Sequence, residues 1–192
     1  MKVIPRFCLA TAGVWLCVGL ALMIALAHVS AQDLPNPASI VKPKTYVSVD
    51  KVPAGSPFDV AIVVAIQSGY HMNSHKPTES YLIPTEITMG AAPAFKEEKT
   101  TYPDGQMMQF QFSKEKLSVY SGQVTLRARI QSQPDAATGE VTLPFTLRFQ
   151  ACNQSACLPP TKVSVPVKLQ VAAAGTKPQP ANSEIFKDTA QK

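Results

Sequence analysis

Apolar and polar positions alternate with a period of two along much of the chain after residue 43. The stretch QVTLRARI (123–130) places Val124, Leu126, Ala128 and Ile130 on one face and Arg127 and Arg129 on the other, the pattern of a half-buried strand. VTLPFTLRFQA (141–151) aligns Val141, Leu143, Phe145, Leu147, Phe149 and Ala151, and KVSVPVKLQV (162–171) aligns Val163, Val165, Val167, Leu169 and Val171. FDVAIVVAI (58–66) is apolar on both faces and suits a central strand. Pro144 and Pro166 fall on the outward parity, which suits an edge or a bulge because proline has no N–H to give to a ladder.

Short strands punctuated by Gly, Pro, Asn and Asp turns, with no amphipathic helix after residue 31, predict an all-β, immunoglobulin-like β-sandwich over residues 44–171. The stretch from Ala91 to Gly122 is the least regular part and reads as a long functional or mobile loop. Proline-rich residues 32–43 read as a linker. Residues 172–192 hold too few large apolar side chains to pack and read as a disordered tail.

The first 31 residues differ in kind. Lys2 and Arg6 precede an apolar run from Phe7 to Ala27, and Val29-Ser30-Ala31 supplies small residues before Gln32. This is the pattern of an export signal peptide, with retention as an N-terminal membrane anchor the other outcome because the run is about 21 residues long. Its removal takes two of the 18 basic residues and none of the 13 acids, lowering the net charge from +5 to +3. The remaining lysines are scattered, which excludes a nucleic-acid surface. No G-x-S-x-G elbow, H-E-x-x-H helix or phosphate-cradling glycine loop points to a hydrolase or nucleotide enzyme.

Export also leaves only Cys152 and Cys157 of the four cysteines, in a compartment where disulfides persist. As a staple the pair is weak: a loop this short contributes roughly 2 kcal/mol, against roughly 4 for one spanning a domain. Parity puts Cys152 with Thr146, Arg148 and Gln150 on the polar face, where a partner has access, and predicts a disulfide with a potential above about −300 mV. No acid lies between Glu140 and Glu184, and Arg148 and Lys162 are the nearest charges along the chain; cations favour thiolate. A metal site is the rival reading, since His71, His75, Met72, Met107, Met108 and the two cysteines offer soft ligands. If the chain is extended, however, the two histidines lie about 13 Å apart. The Asn153-Gln154-Ser155 tripeptide also matches a glycosylation acceptor. An inert disulfide in a binding module, a soft-metal chaperone for copper or zinc, and a reactive dithiol all remain open on these grounds.

The segments GYHMNSHKP (69–77), LIPTEI (82–87), LSVYSGQVTL (117–126) and FQACNQSACLPPTKVSVPV (149–167) together resemble the N-terminal periplasmic domain of the thiol:disulfide interchange protein DsbD, over residues 40–171. The resemblance implies an immunoglobulin-like fold and thiol-disulfide exchange, with no cofactor, in a periplasmic monomer serving cytochrome c maturation or disulfide isomerisation. It implies thioredoxin-fold periplasmic proteins as partners and a membrane electron transporter, here separately encoded because the chain ends after one domain. It points to Cys157 as the sulfur that forms the mixed disulfide and Cys152 as the one that resolves it. A cap-loop aromatic shields the pair, with Phe112 the first choice and Phe110 the second. His71, Asn73 and Arg148 are the expected supporting residues. Two departures stand out: four residues rather than five separate the cysteines, and His71 and Asn73 fall where the family has aromatic residues.

Overall fold

The structure, a computed structural model, describes residues 35–187. The proposed signal at residues 1–31 lies outside them. A turn of 3-10 helix (Pro37–Ile40) leads into twelve strands: β1 (Val41–Val47), β2 (Val52–Pro53), β3 (Pro57–Ile66), β4 (His71–Asn73), β5 (Glu86–Met89), β6 (Phe95–Thr101), β7 (Gln106–Met108), β8 (Leu117–Tyr120), β9 (Gln123–Ser132), β10 (Gly139–Phe149), β11 (Ala151–Cys152) and β12 (Thr161–Ala172). A one-turn helix, α1 (Ser183–Phe186), follows.

The strands form three four-stranded sheets, ordered β1-β3-β9-β6, β2-β12-β10-β5 and β11-β4-β8-β7. The first two pack face to face as the expected all-β sandwich, burying Phe58, Ile62, Leu126 and Ile130 from one against Leu143, Phe145, Leu147 and Val167 from the other. Each such aliphatic or aromatic side chain contributes about 1.5–3 kcal/mol by leaving water. β3, apolar on both faces, is central, between β1 and β9. The alternating faces of β9, β10 and β12 point as the sequence pattern predicts, except that Val141 and Val163 are only partly buried.

Pro144 and Pro166 are mid-sheet rather than at an edge or a bulge. They are partners in the β10–β12 register. Within a strand the N and C=O of one residue point to the same side. The Pro144 carbonyl accepts from Gly90 N–H at 2.7 Å, beyond the last β5 pair, Phe145 with Met89. The Pro166 carbonyl accepts from Thr45 Oγ1, where β2 no longer covers β12. Both missing donors therefore point away from the shared ladder, to sides where no strand requires them.

Three boundaries differ from the sequence reading. β1 begins at Val41, and Ile40 and Val41 are buried, so the domain starts inside the stretch read as linker. The stretch from Ala91 to Gly122 is not one long loop: it holds β6, β7 and β8, and the longest segment between them is residues 109–116. Its β6 is an edge strand of sequence FKEEKTT, and charges on an edge guard against foreign pairing while erasing the apolar alternation that marks a strand. Residues 179–185 lie along the domain instead of forming a free tail. Asp50 and Gln179 exchange hydrogen bonds of 2.8 and 3.0 Å, Ala181 N–H donates to Ser48 O, Asn182 Nδ2 to Val47 O, and Arg127 to Ile185 O. The segment contributes polar backbone, not apolar bulk, and so leaves no hydrophobic signature.

The third sheet carries its own small apolar cluster, Leu82, Phe110, Leu117 and Val119, with Met108 and Phe112 packed against it. Gly105, at its entrance, is required for close approach: a Cβ there would meet Ser118 Oγ and would lie 2.7 Å from Ser74 Cβ.

Candidate functional site

β10 leaves the sandwich at Gln150, and the chain re-enters the third sheet as β11, pairing Ala151 with Met72 and Cys152 with His71 of β4. The turn that follows is held by its own backbone. Leu158 N–H donates to Ala151 O at 2.8 Å and Asn153 N–H to Ala156 O at 2.9 Å. Asn153 Oδ1 accepts from both Ser155 and Ala156 N–H at 2.9 Å, an Asx turn of the kind that fixes tight loops. The Asn153 of the glycosylation tripeptide thus serves as the acceptor that shapes the loop. Cys152 and Cys157 are joined as a disulfide across it, with Cα atoms 3.9 Å apart.

The two sulfur-bearing residues differ in access. Cys152 is fully buried and Cys157 half-buried. Cys152 therefore does not lie on a wet face, as strand parity predicted. Parity names a face of β10 correctly, with Leu147, Phe149 and Ala151 all turned into the core, but Cys152 lies beyond the end of β10, in β11 of the third sheet, where it pairs with His71 and is buried. Access to the disulfide runs through Cys157.

Gln150 ties the site together. Its Oε1 accepts from Asn73 Nδ2 at 3.1 Å and from Ile83 N–H at 3.3 Å, and its Nε2 donates to Leu158 O at 3.3 Å. Asn73 Nδ2 also donates to Ile83 O, and Thr85 Oγ1 to Asn73 O. Sequence reasoning missed Gln150, because a glutamine at the outward end of a strand carries no signal of its own. Arg148, expected to lend positive charge to the cysteines, instead pairs with Glu86 of β5 at 3.1 Å. The pairing partner came from a distant part of the chain, and so the apparent absence of acids along the local sequence was misleading.

His71 and Asn73 share one face of β4. Both are buried, and His71 Nε2 and Asn73 Oδ1 have no hydrogen-bond partner; an unpaired buried polar atom costs about 1–3 kcal/mol. Burial alone pushes the His71 imidazolium pKa down from 6.5 to about 4, so the ring is neutral at pH 7. It stacks on Phe110, with centroids 4.0 Å apart, and Phe110 stacks on Phe112 at 5.5 Å. Phe110 is buried, whereas Phe112 is half-buried on its outer side.

These phenylalanines lie in the loop expected to serve as the cap, residues 109–116, carried by the β7–β8 hairpin. The cap has internal structure: Gln109 Nε2 donates to Ser113 O at 2.7 Å and Ser113 Oγ to Glu115 O at 2.8 Å. Between the two rings, Gln111 N–H donates to Gln154 O in the cysteine loop at 3.2 Å. Cap and disulfide loop are therefore latched directly to each other.

The two histidines are not brought together as metal ligands. His75 stacks on Tyr102 at 3.7 Å, with Nδ1 at 3.1 Å from Thr85 O, while His71 lies against Phe110. Among the described residues no group of three or more His, Cys, Asp or Glu side chains is placed to hold a metal ion. Among the same residues, no helix is long and apolar enough to cross a membrane.

No curated protein matches the sequence. Solved structures that match include the N-terminal periplasmic domain of ScsB from Proteus mirabilis, at 15% identity and a TM-score of 0.47 over 70% of this chain. The match spans 49% of that solved chain. The family model described as thiol:disulfide interchange protein DsbD, N-terminal, matches residues 38–169, which include both cysteines, β4 and the whole cap. The chain therefore belongs to the DsbD N-terminal domain family of thiol-disulfide exchange proteins.

Proposed function

We propose that this protein passes reducing equivalents by thiol-disulfide exchange through Cys152 and Cys157, outside the cytoplasm, between a membrane electron transporter and thioredoxin-fold partners. The observation that carries the reading is the asymmetry of the pair: a half-buried Cys157 and a sealed Cys152, closed in a short loop outside the main core and latched beneath a cap. An incoming thiolate can reach only the accessible sulfur, and the buried one is then the leaving group. Cys157 thus forms the mixed disulfide and Cys152 resolves it.

The surroundings support such a role. The disulfide is peripheral to the sandwich core and closes too short a loop to add much stability. The Asn153 and Gln150 hydrogen bonds hold the loop without help from the S–S bond, so the two sulfurs stay near each other when reduced and reclosure is rapid. The cap keeps the pair from unselective oxidants until a partner displaces Phe110 and breaks the Gln111–Gln154 latch.

The test is trapping. With Cys152→Ala, the mixed disulfide formed at Cys157 has no resolving thiol and should accumulate with thioredoxin-fold proteins of the same compartment. Cys157→Ala should trap none. Equal trapping by the two variants, or none by Cys152→Ala, would overturn the assignment.

A further inference from the structure

His71 Nε2 is enclosed without a hydrogen-bond partner. Native structures rarely keep such a group without a use for it. The ring is held in place by the stack on Phe110 at 4.0 Å. In the ladder between β4 and β11, His71 is the register partner of Cys152, which sets their side chains next to each other on one face, with Cβ atoms about 5 Å apart. A sulfur in a disulfide carries no proton to offer. The same sulfur as a thiol does.

We propose that His71 is the hydrogen-bond acceptor for the Cys152 thiol, so that reduction satisfies a nitrogen which the oxidised protein leaves unpaired. The inference deepens the exchange reading and rests on it only for the identity of the reductant, a protein dithiol. One thiolate of that dithiol attacks Cys157 Sγ, the S–S bond breaks, and Cys152 Sγ leaves with the electron pair. The second thiolate of the dithiol then attacks its own sulfur in the mixed disulfide and releases Cys157. Two electrons and two protons have moved from the dithiol to the cysteine pair, and the proton that ends on Cys152 is shared with His71.

The neutral ring suits an acceptor. Burial is the sole cause of its lowered basicity, with no carboxylate or ammonium contributing. The titratable groups on the elements around it are the two cysteines, Tyr120 on β8, His75, and the exposed Lys114, Glu115 and Lys116 of the cap. Tyr120 is engaged with Pro103 O and His75 N–H, and His75 with Thr85 O. Only Cys152 shares a register position with His71.

The experiment equilibrates the whole protein with glutathione buffers at pH 7 and reads the reduced fraction by thiol alkylation. His71→Phe keeps a ring for the stack but removes the acceptor. It should shift the equilibrium toward the disulfide by about fivefold, the worth of one net hydrogen bond, and His71→Gln, with an amide oxygen, should recover part of that. In the unsubstituted protein the His71 ring nitrogen resonances should differ between the oxidised and reduced forms. An unchanged equilibrium in a folded His71→Phe variant would overturn the proposal. So would identical nitrogen resonances in the two redox states, a comparison that decides the matter even if the variant does not fold. The glutathione equilibrium needs no protein partner, so failure to trap one would sink the exchange reading while leaving this assignment standing.

Discussion

Replacing Phe110 by alanine should open the cap. The ring is 2% exposed and stacks on two neighbours, His71 and Phe112. Its burial contributes about 1.5–3 kcal/mol, and each aromatic contact about 0.5–1.5 more. The sum agrees with the roughly 3–5 kcal/mol typical of Phe→Ala at a filled site. The cluster containing Phe110 is separate from the sandwich core, so most of this loss falls on the local equilibrium between closed and open cap rather than on global unfolding. If the disulfide reacts only from the open cap, a loss of about 3 kcal/mol accelerates its reduction by roughly a hundredfold, until the cap is open most of the time and the rate levels off. The assay is the rate of disulfide reduction by a small dithiol in excess, with thermal unfolding followed in parallel. Phe112→Ala, which removes the half-buried outer ring, should accelerate reduction less. An increase below about threefold in a folded Phe110→Ala protein would refute gating by this residue.

Two further expectations concern stability. The His71 pKa is lowered in the folded state, so the unfolded chain binds a proton more readily and stability is fully present only above pH 6.5. It should be lost as pH falls toward the folded value of about 4, by up to about 3 kcal/mol. Denaturant titrations at pH 7.5 and 4.5 should show this difference, and His71→Phe should lack it; an identical pH dependence in the two proteins would remove His71 as the cause. Gly105→Ala forces a Cβ to within 2.7 Å of Ser74 Cβ and should cost about 1–3 kcal/mol through displacement of the cap hairpin. Unaltered melting and unaltered reduction rates would show that the hairpin docks without that close approach.

The strands of the sandwich were legible because burial on one face writes a period of two into the sequence. β9, β10 and β12 carry it plainly, and β3 declares itself central by being apolar throughout. β6 was not legible: its one buried end, Phe95, precedes a charged run whose purpose is to keep an edge unpaired. β4 and β11 were not legible either, since three residues and two residues hold no period at all.

The same division runs through the site. The cysteine pair, its short spacing and the aromatic segment near it are properties of the chain itself, and with the flanking motifs they were enough to place the protein in its family. What the linear sequence left undetermined was which sulfur is accessible. Alternation tells which face of a strand a residue occupies, but not what is packed over that face. Only the folded chain pairs β4 with β11, setting His71 beside a buried Cys152, bonds Gln111 of the cap to Gln154 of the cysteine loop, and sets Arg148 against Glu86. Those contacts join residues between 43 and 81 positions apart in sequence, a separation across which no local pattern carries information.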